Sequence, residues 1–291
     1  MKEIIKRVRG ALRMSQEEFA SSLNVSFATV NRWENGRAVP NKLAQTKLYE
    51  VCIDNDVAVY DMILDKIAAI ASHITLDEGR VVLYHGSKSG IEGKIEPKSR
   101  KQCDFGTGFY MGTEPGQPLT LVCDYEESKF YIVSVNVTDL ETFEVNPDLD
   151  WAMLVAYNRG KMEKIKNSDI YNKYKAMMEG KDLLIGSIAN DRMFYVIDNF
   201  FIGNITDVAL VNSLSALQLG KQYVAVSQKG CDAVSIETEV PLSYFERLVM
   251  KKVADDNRAK GISLANDICK NHRRDGKFFD EILVEAKGEY K

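Results

Sequence analysis

Histidine, tryptophan and proline are scarce in this 291-residue chain, at three, two and six copies. The histidines are His73, His85 and His272, and none lies near a cysteine at zinc-ligand spacing, so no metal site is expected. The five cysteines, Cys52, Cys103, Cys123, Cys231 and Cys269, are odd in number and include no CxxC pair. They read as free thiols of a reducing compartment. No run of about 18 apolar residues occurs, and the opening MKEIIKRVRGAL has no apolar signal core. The expectation is a cytoplasmic protein without a membrane span. Strong charge of one sign is also missing: the net charge is −4. That excludes a general nucleic-acid coat and leaves room for a locally basic module. The first 56 residues carry nine Lys/Arg against seven Asp/Glu, a net of +2, which leaves −6 for the remainder.

What the chain does have is apolar bulk. At 45% hydrophobic residues it can bury a sizeable core, and two domains are the natural expectation. Residues 1–56 read as a bundle of short helices. Ile4, Ile5, Val8 and Leu12 fall on one helical face. Ser15-Gln16-Glu17-Glu18 is a capping box, and the helix it opens buries Phe19, Ala20 and Leu23. Asn24-Val25-Ser26 is a tight turn. The next helix buries Val30 and Trp33 and stops at Asn35-Gly36. Pro40-Asn41 opens another, with Ala44, Leu48, Val51 and Cys52 in phase.

The stretch MSQEEFASSLNVSFATVNRWENGRAVP resembles the phage-repressor-like helix-turn-helix family, with both its S-Q-x-x-F-A start and its W-E-x-G-x-x-x-P finish. The resemblance implies that the helix after the turn lies in the major groove of double-stranded DNA. Carried over, Gln16, Phe27, Ala28, Thr29, Asn31 and Arg32 would face the DNA, and Arg37 would hold a phosphate. Such modules pair on two half-sites, so a homodimer is implied. A bundle that binds only protein is the alternative.

Residues 57–78 hold an amphipathic helix with Val59, Ile63, Ile67 and Ile70 in phase, read as a linker or a dimer contact. The polar break Asp77-Glu78-Gly79-Arg80 marks a boundary. From 79 to 240 the periodicity turns to short β-type runs, at 81–85, 130–137, 142–145, 182–189, 222–227 and 232–240. Helical stretches fall at 149–158, 162–179, 193–203 and 207–217. This is a mixed α+β domain without the alternation of a doubly wound sheet. Residues 241–291, beyond the breaker Pro241, read as a helical extension, with Phe245, Leu248, Val249 and Val253 on one face.

Three short strings stand out in the α+β part: LYHGS at 83–87, FGTGFYM at 105–111 and QYVAV at 222–226. Singly they are weak, since a core histidine, a core aromatic and a strand-edge amide account for them equally well. FGTGFYM lacks the third glycine of a dinucleotide fingerprint and the Lys-Ser/Thr of a P-loop, and Pro115 and Pro118 signal no following helix. Together, in this order, they resemble the ADP-ribosyltransferase superfamily in its diphtheria-toxin and poly(ADP-ribose)-polymerase branch. His85 and Tyr110 are 25 residues apart, and Tyr110 and Gln222 are 112 apart. The chain is also similar to bacterial helix-turn-helix proteins with a fused domain of this kind.

The resemblance implies NAD+ as substrate, without a metal. The Gly86 backbone would clamp the nicotinamide amide, and His85 would hold a hydroxyl of the adenine-side ribose. Tyr110 would stack on the nicotinamide ring, with Tyr84 or Tyr223 as a second wall; Ser87 and Gly108 complete the binding set. The branch places a glutamate where this chain has Gln222. Glutamine keeps the shape and an acceptor but loses the charge, which disfavours polymer synthesis. The expected activity is therefore mono-ADP-ribosyl transfer from NAD+ to a macromolecular acceptor. It would be toxin-like and self-regulating through DNA, with room for a neutralising protein. The alternative is a transcription regulator whose catalytically silent domain senses NAD+. A third reading uses the domain only as a partner surface. Asp191 and Arg192 are candidate polar helpers, or else a surface ion pair.

Overall fold

The computed structural model describes residues 1–188, 191–216, 220–272 and 275–288. Five helices come first: α1 (Lys2–Ala11), α2 (Gln16–Ser22), α3 (Phe27–Glu34), α4 (Lys42–Asp54) and α5 (Val59–Ala71). Their boundaries follow local chemistry. The Ser15 side chain and Glu18 form a reciprocal capping box at α2. Ser26 and Asn41 accept from Thr29 N and Ala44 N to cap α3 and α4. Gly36, at φ 71, takes the left-handed turn after α3.

The α+β part follows in the order β1 (Arg80–Ser87), β2 (Phe109–Gly112), α6 (Gly116–Val122), β3 (Lys129–Asn136), β4 (Thr142–Glu144), α7 (Leu149–Asn158), α8 (Asp169–Met178) and β5 (Leu183–Ser187). Then come α9 (Asp191–Phe201), α10 (Asp207–Ala216), β6 (Lys221–Ala225), α11 (Gln228–Asp232), β7 (Val234–Val240), α12 (Tyr244–Asn271) and α13 (Phe279–Gly288). The strands form one sheet in the order β4-β5-β6-β2-β1-β3-β7. Only β4 and β5 run parallel; the other neighbours are antiparallel. The expected α+β class with an N-terminal helical bundle and a helical C-terminal extension is the observed one.

Three expectations need correction. A helix does follow the glycine string: α6 contains Pro118, which sits in its first turn, where a missing N–H costs nothing. The expected 162–179 helix is split by a turn with Asn167 at φ 70, after which Ser168 caps α8. The stripe of α5 is used inside the chain, since Val59, Met62, Ile63 and Ile67 are buried in the core shared with α1 and α12. Those residues are closed to a second copy. The Asp191 and Arg192 side chains, and the expected ends at Ala189 and Leu217, lie outside the described residues.

Register sorts the sheet into two faces. Phe130, Ile132, Leu184 and Val224 point to one face, which is covered by helices. Leu83, Met111, Tyr131, Val133, Leu183 and Ile185 point to the other and pack with Ile91 and Ile95 of the long β1–β2 connection. The helical face carries two separate cores. One, around Phe105, Trp151, Leu184 and Val224, lies under the β4-β5-β6-β2 half. The second joins Phe130, Ile132 and Val240 to the N-terminal helices and to Phe245 and Met250 of α12. The border between them runs along β2 and β1.

Polar ties back up that second core. Gln45 of α4 donates to the Pro40 carbonyl at 2.7 Å and accepts from Phe245 N at 2.8 Å. Lys66 of α5 pairs at 2.8 Å with Glu246, whose side chain also caps α12. Within the bundle, Arg9 grips buried Glu34 through two bonds of 2.6 and 3.1 Å, and Gln16 adds a third at 2.6 Å. Burial alone would raise the Glu34 pKa, but the bonds from Arg9 and Gln16 and the charges of Arg9 and Lys6 together bring it below the ordinary value. Removing this carboxylate strands a partly buried guanidinium. Glu34→Ala is expected to lower the unfolding free energy by about 2–3 kcal/mol, measured by urea denaturation.

Candidate functional site

The three strings singled out in the sequence lie on β1, β2 and β6, which are neighbours at the centre of the sheet. Antiparallel register places Tyr84, Gly112, Gln222 and Gly186 in one row across four strands. Side chains in such a row share a face. Gln222 is therefore flanked by glycine on both sides. A Cβ at Gly186 would strike Phe105 Cζ at 2.6 Å, so that hollow is filled. A Cβ at Gly112 would stand in ordinary contact with the Glu114 carbonyl, Ile188 Cδ1 and Pro118 Cγ at 3.4–3.6 Å, so the space between Tyr84 and Gln222 is bounded by the segment after β2 and by Ile188.

β1 and β2 share a single register pair, Tyr84 with Gly112. Beyond it the ladder ends, and the His85 imidazole takes over. Its Nδ1 lies 2.7 Å from the Tyr110 carbonyl, an acceptor that requires the proton on Nδ1. The ring stacks on Phe109, with centroids 4.2 Å apart. His85 thus lies on the face opposite Gln222. Tyr223, the neighbour of Gln222 along β6, lies on that opposite face as well. Of the two candidates for a second aromatic wall, Tyr84 is the one on the Gln222 face, and it stacks on Phe130 at 5.9 Å.

Tyr110 shares the Gln222 face, two residues along β2 from Gly112. Its hydroxyl donates to the Gly106 carbonyl at 2.8 Å and accepts from Phe105 N at 3.1 Å, which sets the ring's orientation. Burial pushes the phenol pKa well up, so it stays neutral. The G-T-G string earns its glycines separately. Gly106 is left-handed at φ 72. Gly108 has no space for a Cβ, which would meet Val224 Cγ1 at 2.5 Å. Ser99 staples the loop, accepting from Gly108 N at 3.0 Å and donating to the Gly106 carbonyl at 3.2 Å. Gly86 faces α6, where a Cβ would meet the Pro118 carbonyl at 2.5 Å. Ser87 caps a local turn, donating to the Gly90 carbonyl at 2.7 Å.

Sequence reasoning missed Asp104. This carboxylate is 5% exposed and ion-paired with Arg159 at 2.8 Å. Its backbone carbonyl accepts from Asn158 at 3.0 Å. The Gln222 amide nitrogen faces both the Ser187 carbonyl, at 2.9 Å, and Asp104 Oδ2, at 3.4 Å. Burial raises the Asp104 pKa, and the Arg159 charge and the bonds from Gln222 and Arg159 oppose that rise. The only sequence signal was an acid two places before the glycine string.

On the N-terminal bundle, Phe27, Ala28, Arg32 and Arg37 are exposed. Thr29 is half-buried, its hydroxyl 2.9 Å from that of Ser26. Gln16 and Asn31 are linked to each other and to Glu34 rather than standing free. The exposed outer face of α3 therefore narrows to Phe27, Ala28 and Arg32.

The fold is thus a helix-turn-helix joined to an α+β domain built round one mixed sheet. Residues 5–43 match the helix-turn-helix family, a class of DNA-binding modules. Residues 81–236, more than half of the chain, match the family described as "Protein of unknown function (DUF3990)", and the chain belongs to that family. No curated protein and no solved structure matches the chain. Among the described residues no helix is long and apolar enough to cross a membrane.

Burial holds the His85 pKa below the ordinary 6.5, and the bond to the Tyr110 carbonyl works against that shift. Between the folded and unfolded values the unfolded chain binds more protons. The stability His85 contributes is therefore lost as pH falls below about 6.5. His85→Gln keeps a donor for the carbonyl and removes the titration. It is expected to flatten the fall of the urea midpoint between pH 7.5 and pH 5.

Proposed function

We propose that this chain is a mono-ADP-ribosyltransferase that cleaves NAD+ and modifies a macromolecular acceptor, with the helix-turn-helix bringing it to DNA. The observation that carries the reading is the row Tyr84–Gly112–Gln222, with Tyr110 beside it, at the border of the two cores. Tyr84 and Gln222 are two strand spacings apart, about 10 Å, with a glycine between them. Tyr84 and Tyr110 flank that glycine on one face of the sheet, and a flat heteroaromatic ring is the kind of ligand two such side chains would hold. The nicotinamide of NAD+ is such a ring and, being cationic, leaves without a strong general acid.

In the proposed reaction the bond between the nicotinamide nitrogen and ribose C1′ breaks, and its electron pair goes to the ring. The acceptor's nucleophile bonds C1′ and gives up its proton to solvent. The protein's task is to hold the ring flat, point an acceptor at the ribose and exclude water. Tyr110, with its hydroxyl tied to the loop, serves the first task. The Gln222 carbonyl oxygen serves the second, because the carbonyl and carboxylate flanking its nitrogen turn Oε1 away from them. Helix α6 covers Gly86 and serves the third. The placement of His85 favours a different task from the family's ribose contact: it holds β2 against β1 from behind.

Purified protein is expected to release nicotinamide from NAD+, with Tyr110→Ala and Gln222→Ala each reducing the rate at least about tenfold. Gln222→Glu is expected to raise it by roughly 10- to 150-fold, the worth of a charge-assisted hydrogen bond of ~1.5–3 kcal/mol. Absence of release and of label transfer would defeat the reading.

A second reading, an NAD+-sensing regulator, is favoured by one contact. Helix α6 lies against Gly86, and at Gly116 it touches Tyr60 of α5, where a Cβ would meet the hydroxyl at 2.4 Å. Helix α5 in turn shares a core with α1 of the DNA-binding bundle. A ligand that moves α6 therefore has a packed route to the bundle. For either reading, Arg32→Ala is expected to weaken DNA binding by at least about tenfold and Arg37→Ala to lower the salt slope by about 1, both measured by titration of a duplex at several salt concentrations.

A further inference from the structure

The weak point of a transferase at this site is the amide at position 222, because the chemistry calls for negative charge beside the ribose. Two acceptors converge on the Gln222 nitrogen, the Ser187 carbonyl at 2.9 Å and Asp104 Oδ2 at 3.4 Å. A flipped amide would aim its oxygen at a carbonyl and a carboxylate, so the orientation is dictated by its neighbours. Oε1 accepts no hydrogen bond among the described residues and faces away from both partners. Asp104 is buried and gripped from its far side: Arg159 takes Oδ1 at 2.8 Å, and Asn158 holds the backbone carbonyl at 3.0 Å. That leaves Oδ2 on the Gln222 side.

We propose that Asp104 is the carboxylate of this site, acting through Gln222 as a positioning residue. Asp104 and Gln222 together stand where a single glutamate would suffice. The inference rests on the transferase reading. An N–H that donates to an anion polarises its amide, and electron density moves onto the carbonyl oxygen. Oε1 then becomes a stronger acceptor for the ribose hydroxyl, with its direction already set. The 3.4 Å contact is long for such a bond, and closure on substrate shortens it. The ion pair with Arg159 and the bond from Gln222 oppose the rise that burial imposes on the Asp104 pKa. The arrangement also accounts for the position of the acid in the chain. Asp104 immediately precedes Phe105 and Gly106, the backbone that holds the Tyr110 hydroxyl, so one loop places both the ring wall and the charge.

The test is a kinetic cycle on the full chain, reading nicotinamide release and, separately, NAD+ affinity by calorimetry. Asp104→Asn/Arg159→Gln removes both buried charges together, so neither is left unpaired. In the parent background it is expected to lower kcat about tenfold with KM within about twofold. In the Gln222→Glu background, where the carboxylate touches the ribose directly, the same pair is expected to cost under about twofold. The Gln222 side-chain amide protons, followed by NMR, should move upfield when Asp104 loses its charge. Asp104→Asn alone gives the same readouts if the double variant fails to fold. Equal losses in both backgrounds, or none in either, would overturn the proposal and leave the transferase reading standing. Protein that binds NAD+ without releasing nicotinamide would also overturn it, in favour of the sensor. Protein that does neither would remove both the proposal and the reading beneath it.

Discussion

A single hydrogen bond, from His85 Nδ1 to the Tyr110 carbonyl, closes the centre of the sheet where the main-chain ladder stops. On either side of that seam the strands are well paired, β1 with β3 along eight residues and β2 with β6 along four. At the seam itself one register pair and one imidazole do the joining. The two helical cores meet there without merging. Tyr84, Tyr110 and Gln222 stand on the helix-covered face along that seam.

The bundle at the N-terminus is not an independent bead on the chain. Its core is continuous with the sheet through Phe130, Ile132 and Val240 and with α12 through Phe245 and Met250. Gln45 spans the contact with one bond to its own segment and one to the start of α12. The outer face of α3 stays exposed throughout, because its buried residues, Val30, Trp33 and Glu34, turn toward α1 and α2. The exposed face of α3 and the docking side of the bundle are therefore different surfaces of the same helices.

The charge arrangement around Gln222 is set by residues far from it in the chain. Gln222 keeps the length and shape of a glutamate and adds an N–H that reaches Asp104 across the sheet. With glutamine, the Asp104 charge is balanced by Arg159, and the amide bridges between Asp104 and the Ser187 carbonyl. Gln222 and Asp104 are thus best understood as a pair.

Much of this was legible in the residues themselves. Caps and turns are local, so Ser15, Ser26, Asn41 and Gly36 announced the helices of the bundle, and β-branched runs announced β1, β3 and β7. The class, helices followed by a mixed α+β domain, followed from pattern, and the grouping of the three strings from their resemblance to a known superfamily. Three things depended on the tertiary fold. Which face each side chain takes is a matter of register, and that placed His85 and Tyr223 behind the sheet and Tyr84 in front of it. Which polar groups are occupied is a matter of contact, and that tied Gln16 and Asn31 to each other and to Glu34. Asp104 meets Gln222 only because the sheet brings together residues 118 positions apart. Hydrogen bonds across such distances leave no period and no spacing for a sequence pattern to carry.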